Sequence, residues 1–234
     1  MNDLARADGS GRMFDRIARR YDLLNRIMSL GLDKRWRRTL IAQLPAGAVR
    51  LLDVATGTAD VAIALAQRDA LTRVTGLDPS GEMLAQGHEK LGKTGLNQRI
   101  DLVEGDGQAL PFEAHTFAGS CISFGIRNVP DRQKALAEMG RVTVPGGPVA
   151  VLELTEPRTG LLAPLARFHV KRVVPMVGGW LSGDAEYRYL QASVAAFPAP
   201  VDFAAIMTAA GLLDVQIHRL SFGAVHLFVG RAPG

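Results

Sequence analysis

One cysteine, Cys121, stands in 234 residues. No intrachain disulfide can form, and no cysteine-based zinc cluster either. No stretch approaches the roughly 18 uninterrupted apolar residues that a membrane-spanning helix needs. The opening MNDLARADGSGRMFDRIARR has no apolar core of a secretion signal, so cytoplasmic residence is the expectation. What remains is 47% hydrophobic and 21% charged, the balance of a globular chain rather than a collagen-like or disordered one. The length suits one α/β domain with additions, or two small domains, with a sizeable core in either case.

Charge is unevenly placed. Residues 1–38 hold ten Lys/Arg and five Asp, a net +5; the other 196 hold 17 Lys/Arg and 18 Asp/Glu, a net −1. The basic excess therefore belongs to the N-terminal segment. A solvated helix face, an anionic membrane surface and a nucleic acid are the three classes of surroundings that suit it. No nucleic-acid-binding module is recognisable, so no nucleic-acid partner is expected.

Residues 1–11 read as a loose end. From Met13 apolar residues recur at helical spacing, with Gly31 as a stop, and a second helix spans about 33–44 before Pro45. Two helices, an N-terminal cap over 1–44, thus precede the first strand. The pattern then changes. Strands are expected at 50–55, 73–78, 99–106, 118–125 and 148–154, with helices at 59–68, 80–92 and 131–142 between them. This alternation predicts an α/β domain over 45–234, a parallel sheet with helices on both faces. Prolines 157, 164, 175, 198 and 200 interrupt a mostly helical stretch, read as a lid inserted over about 155–200. A helix at 201–210 and two closely joined strands, 213–220 and 224–230, end the chain. They make the sheet seven-stranded with an antiparallel last strand.

Ligands of open α/β sheets bind at the carboxyl ends of the strands. Those ends carry Asp53, Asp78, Asp106 and Ser123. Asp78 lies one βαβ step after Asp53, where an acid accepts the hydroxyls of a ribose. The loop after the first strand, DVATGTAD, has Ala55, Gly57 and Ala59 where a dinucleotide fingerprint would have three glycines. Asp60 at the helix start would repel a pyrophosphate. A nucleoside without phosphates and with a positive charge satisfies these features, and S-adenosylmethionine is the common one. Asp106 suits an adenine amino group, or else a turn; Ser123 suits the cofactor, or else the core.

The segments FDRIARRYDLLNRIMSLGLDKRWRR (14–38), LLDVATGTADVA (51–62), GLDPSGEML (76–84), GDGQALPF (105–112), SFGIRNVPDRQKALAEMGRV (123–142), LELTEP (152–157) and EYRYLQASVAAFP (186–198) follow one another in this order. In this the chain resembles the ubiquinone/menaquinone biosynthesis C-methyltransferases, a family of Rossmann-like class I S-adenosylmethionine-dependent methyltransferases, over about residues 14–230. The resemblance implies methyl transfer from S-adenosylmethionine to a ring carbon of a polyprenylated benzoquinol or naphthoquinol. It implies cofactor binding by Thr58, Asp78, Asp106, Gly107 and Ser123, in a pocket shaped by Asp53 and Gly57. The chain departs from the family pattern at Ala59, in place of a Gly. Near the end, Phe228 stands where His is common and His226 two positions earlier. A natural-product methyltransferase acting on a soluble phenol or polyketide stays open as the alternative, and so does a homodimer.

The chemistry asks for no metal. A quinol ring is activated by its own hydroxyl, more so as a phenolate, and a free phenol titrates near ~10. A fixed cation or donor beside that oxygen helps. Arg127 and Asn128, after the fourth strand, are the candidates, with Arg127 acting by its charge because it is too basic for a neutral base. An Arg–carboxylate structural pair is the competing reading. Tyr21, beside Asp22, would close over the site from the N-terminal helix. Tyr187, Arg188, Tyr189 and His169 are further acceptor-side candidates. The lid's Leu161, Leu162, Leu165, Phe168, Val173, Val174, Met176 and Trp180 would floor a prenyl tail or touch a bilayer. Cys121 reads as a buried strand residue, and His88 and His115 as exposed.

Overall fold

A computed structural model describes Asp22, Arg26, Ser29 and residues 31–156 and 184–234. The expected helix from Met13, Tyr21, His169, the Tyr187 side chain and most of the expected lid, including its apolar residues, lie outside the described residues.

Seven strands form one sheet. They are β1 (Arg50–Val54), β2 (Arg73–Asp78), β3 (Ile100–Glu104), β4 (Gly119–Ser123), β5 (Pro148–Leu154), β6 (Leu213–Leu220) and β7 (Val225–Arg231). Their order is β3-β2-β1-β4-β5-β7-β6. All neighbouring pairs are parallel except those of β7, which runs antiparallel to both β5 and β6. Among the described residues the α-helices are α1 (Asp33–Ile41), α2 (Asp60–Arg68), α3 (Gly81–Thr94), α4 (Arg132–Val142), α5 (Asp184–Ala195) and α6 (Pro200–Ala209).

The strand sequences account for their places. RLLDV and RVTGLD bury every residue but the first, as strands covered on both faces must. LDVQIHRL of β6 is largely exposed and takes an edge. Two hydrophobic layers sandwich the sheet. One packs Trp36, Leu40 and Ile41 of α1 with α2 against Leu51, Cys121 and Leu152. The other packs α4 and α6 against Leu52, Ile122, Val151 and Phe228. Local signals set the helix ends. The Ser80 hydroxyl accepts the Met83 amide at 3.1 Å to start α3, Asp131 accepts Lys134 N at 2.9 Å to start α4, and Gly95 (φ 70°) closes α3.

Strands and helices fall within a few residues of expectation, and the last strand is antiparallel as read. One strand end is corrected. β3 stops at Glu104, paired with Asp78, because the chain turns at Gly105, so Asp106 lies in the loop beyond rather than at the strand end. Going β1, β2, β3 the chain moves one way across the sheet; β4 returns to the other side of β1. The crevice of such a reversal opens at the carboxyl ends of β1 and β4.

Candidate active site

The loop from β1 to α2 floors this crevice. Ala55 (φ 51°), Gly57 (φ 55°) and Ala59 (φ 67°) all have left-handed backbone. The three positions where the sequence reading looked for glycines thus all have a backbone that glycine favours, at a cost of about 1 kcal/mol or more for each alanine. Close approach holds the loop. A Cβ on Gly125 would stand 2.5 Å from the Ala55 methyl, and one on Gly76 2.8 Å from the Thr56 hydroxyl. Asp53, under the loop, accepts the Thr56 hydroxyl at 2.6 Å and the Cys121 thiol at 3.5 Å. Burial raises the Asp53 pKa from 3.8 to about 6, against the lowering effect of those two hydrogen bonds. Burial, with Asp53 adding to it, pushes the Cys121 thiol well above its ordinary range, so it stays a donor.

The cleft above is lined by Gly57, Asp78, Asp106, Gly107, Ser123 and Asn128, among others. Asp78 is buried, and each of its oxygens accepts one backbone amide, Gly57 N at 2.8 Å and Ser80 N at 3.0 Å. A carboxylate at this strand end, facing the cleft, is the group that accepts the hydroxyls of a ribose. The exposed Asp106 binds Gln108 through its backbone and side-chain nitrogens, and the Gln108 carbonyl oxygen takes Asp131 N at 3.0 Å. The Ser123 hydroxyl is buried at the cleft wall without a hydrogen-bond partner among the described residues. An orphan hydroxyl in a binding cleft is costly unless a ligand satisfies it. With Asp78 it fits the hydroxyl-rich, amine-bearing surface of S-adenosylmethionine.

Among the described residues singled out in the sequence, Asp53, Thr58, Asp60 and Arg127 are not part of the cleft lining. Thr58 is buried, and its hydroxyl donates to Asp22 at 2.7 Å and accepts from Lys90 at 2.8 Å. Asp60 is paired with Arg37 at 2.5 Å and Lys90 at 2.6 Å. Burial raises the Asp60 pKa, but the two cations outweigh it and hold it below the ordinary value. The expected repulsion of a pyrophosphate by Asp60 is therefore muted by its partners. The resulting network also includes Lys90–Asp22 at 2.5 Å and ties the segment before α1 to α2 and α3.

Arg127 and Asn128 form the 3₁₀ turn after β4. The Arg127 guanidinium sits 2.7 Å from Glu153, a fully buried carboxylate, and donates to the Phe124 carbonyl at 2.5 Å. Arg127 thus makes the ion pair of the competing reading, and its neighbour Asn128 lines the cleft. Asn128 accepts the Tyr189 hydroxyl at 3.1 Å. Burial raises the Tyr189 pKa, partly offset by Arg127, so this phenol stays a donor. At the same sheet edge His226 sits opposite Glu153, with Nδ1 2.7 Å from the Thr155 hydroxyl. Phe228 instead fills the core against Phe203, ring centroids 4.8 Å apart. Cys121 is buried, and His88 and His115 are exposed, as read.

Sequence reasoning missed Glu153, Gln108, Arg37 and Lys90. Glu153 lies inside an apolar strand, and a lone acid in such a run signals a buried partner. The others carry no local signal.

The chain matches the model of the ubiE/COQ5 methyltransferase family over residues 3–231. It is 45% identical over 219 residues to the ubiquinone/menaquinone biosynthesis C-methyltransferase UbiE of Syntrophotalea carbinolica, covering 93% of this chain and 92% of that one. To the demethylmenaquinone methyltransferase of Thermus thermophilus it is 44% identical over 223 residues, 94% and 100% covered. In fold it is similar to a SAM-dependent methyltransferase from Aquifex aeolicus (TM-score 0.62, 16% identity, 86% and 92% covered). It is equally similar to the [4+2]-cyclase SpnF (TM-score 0.64, 18% identity, 97% and 96% covered), so the fold alone does not fix the reaction. Cleft, loop and sequence agree: the chain is an S-adenosylmethionine-dependent methyltransferase and belongs to the ubiE/COQ5 methyltransferase family.

Proposed function

We propose that the enzyme methylates a ring carbon of a polyprenylated quinol in quinone biosynthesis, demethylmenaquinol or 2-polyprenyl-6-methoxy-benzoquinol, in peripheral contact with a membrane. The observation that carries this reading is identity of 44–45% along nearly the full length of relatives named for such reactions. When bound, the cofactor supplies a methyl group on a positively charged sulfur, already electrophilic.

The chain's task is to place a ring carbon in line with it and to hold the neighbouring oxygen. The binding roles read from sequence are Asp78 for the ribose, Asp106 for the adenine amino group, and Thr58, Gly107 and Ser123 for the cofactor at large. Asp53 and Gly57 shape the pocket, Asp53 from below the loop through Thr56. Glu153 fixes the Arg127 guanidinium before any acceptor arrives, so its charge costs no reorganisation at the moment of reaction. Asn128 accepts from Tyr189 and keeps its amide hydrogens for the acceptor oxygen. Tyr21 completes the proposed acceptor side from the N-terminal segment. The prenyl tail keeps the acceptor in a bilayer, which is why the enzyme works at the membrane's cytoplasmic face.

Purified protein given S-adenosylmethionine with a labelled methyl and each reduced demethylated quinol in detergent tests the reading. Label on a ring carbon of one quinol is the expected product by mass spectrometry. No transfer to either, with cofactor binding measured in the same sample, would overturn it.

A further inference from the structure

The turn between β6 and β7 is strained. Ser221 (φ 43°), Phe222 (φ 57°) and Gly223 (φ 93°) follow one another in left-handed backbone. Glycine suits that conformation; a bulky side chain there is an outlier that asks for a function. Phe222 is also 63% exposed, so core packing does not offset the strain. The turn is nevertheless braced. The Trp36 indole donates to the Ser221 hydroxyl at 2.8 Å, and Arg219 donates to the Phe222 carbonyl at 2.6 Å with its guanidinium against Gly223. The phenyl ring is thus held outward on a fixed support.

Its surroundings are basic and apolar. Trp36 places α1 beside the turn, and Leu32, one helical turn before Trp36 on the same face, is 41% exposed. Arg37 points α1's other flank toward Asp60 of α2. That leaves Leu32 and Arg35 on the flank toward the turn, with Lys34 and Arg38 beyond them, all three cations exposed. These residues belong to the segment that carries the net +5. The turn lies at the carboxyl end of β6, the same sheet edge as Ser123, Arg127 and the cleft.

We propose that Phe222 and Leu32, with Lys34, Arg35 and Arg38, form a docking surface for an anionic lipid bilayer. It would set the active-site edge against the membrane that holds the acceptor. The inference rests on the quinol reading for its purpose and on the strained turn for its site. A ring inserted at the headgroup boundary supplies apolar burial, and nearby cations supply attraction to anionic lipid.

Flotation of the full chain with phosphatidylcholine vesicles, with and without phosphatidylglycerol, tests it. The wild-type chain should bind when phosphatidylglycerol is present. Phe222→Gly should lower that partitioning about tenfold, and each of Lys34→Gln, Arg35→Gln and Arg38→Gln about fivefold. Glycine suits the backbone at 222, so the thermal midpoint of that variant should not fall. Its methyl transfer to a tail-less quinol in solution should stay at the wild-type level.

Equal vesicle binding by wild type and Phe222→Gly would overturn the proposal. So would a change of sedimenting size in Phe222→Gly with vesicle binding unchanged, which would assign the patch to a second copy of the chain. Quinol methylation without vesicle binding would sink the surface and leave the substrate reading standing. Vesicle binding that depends on Phe222, with no quinol methylated, would do the reverse.

Discussion

Asp53 is a carboxyl whose burial outweighs its hydrogen bonds, and the sign of its effect on stability follows. Its pKa is raised from 3.8 to about 6 on folding, so between those values the folded chain holds the extra proton. Its contribution is complete below about pH 4 and declines as pH rises to about 6, by on the order of 3 kcal/mol. His226, whose pKa is lowered by burial and then by Arg219, acts in the opposite sense and loses stability as pH falls. The difference between wild type and Asp53→Asn isolates the first effect. Urea unfolding across this range should show the wild-type chain losing stability relative to the variant as pH rises. Glu153 and Arg127 give a second expectation. Glu153→Gln leaves a buried guanidinium without its counter-charge and should cost about 3 kcal/mol in the same measurement. The double change Arg127→Met with Glu153→Leu removes both charges and should restore most of that stability. It should not restore methyl transfer, if the guanidinium holds the acceptor oxygen.

The loops after β1 and β4 are the elements that make the cleft, and they meet where Gly125 lies under Ala55. Gly125→Ala would drive one methyl into another and should cost about 1–3 kcal/mol, with weaker cofactor binding by calorimetry. Adding Ala55→Gly opens the space and should recover part of both losses, although Ile122 also crowds the new methyl at 3.2 Å. Independent sites would simply add, so recovery is the signature of direct contact. The elements themselves were largely legible in the sequence, because strands buried on both faces read as apolar runs and Ser80, Asp131 and Gly95 punctuate the helices. The left-handed backbone at Ala55 and Ala59 was not. Alanine gives no hint of positive φ, and only the close approach of Gly76 and Gly125 reveals why the loop accepts the strain.

At the scale of the molecule, the strand ends singled out in the sequence pointed to one cleft, since topology brings those positions to one edge. Asp78 and Ser123 met there as read. The partners that decide how Thr58, Asp60 and Arg127 behave come from distant segments: Asp22, Arg37, Lys90 and Glu153. Pairings between distant residues leave no periodicity to find. The strand order carries one more consequence. β7 is the last strand along the chain, yet it lies between β5 and β6. During synthesis, β1 to β5 can pair as they emerge, but β6 has no neighbour until Val225–Arg231 has left the ribosome. A strand made late thus joins two made earlier, and until it is in place the sheet stays open beyond β5.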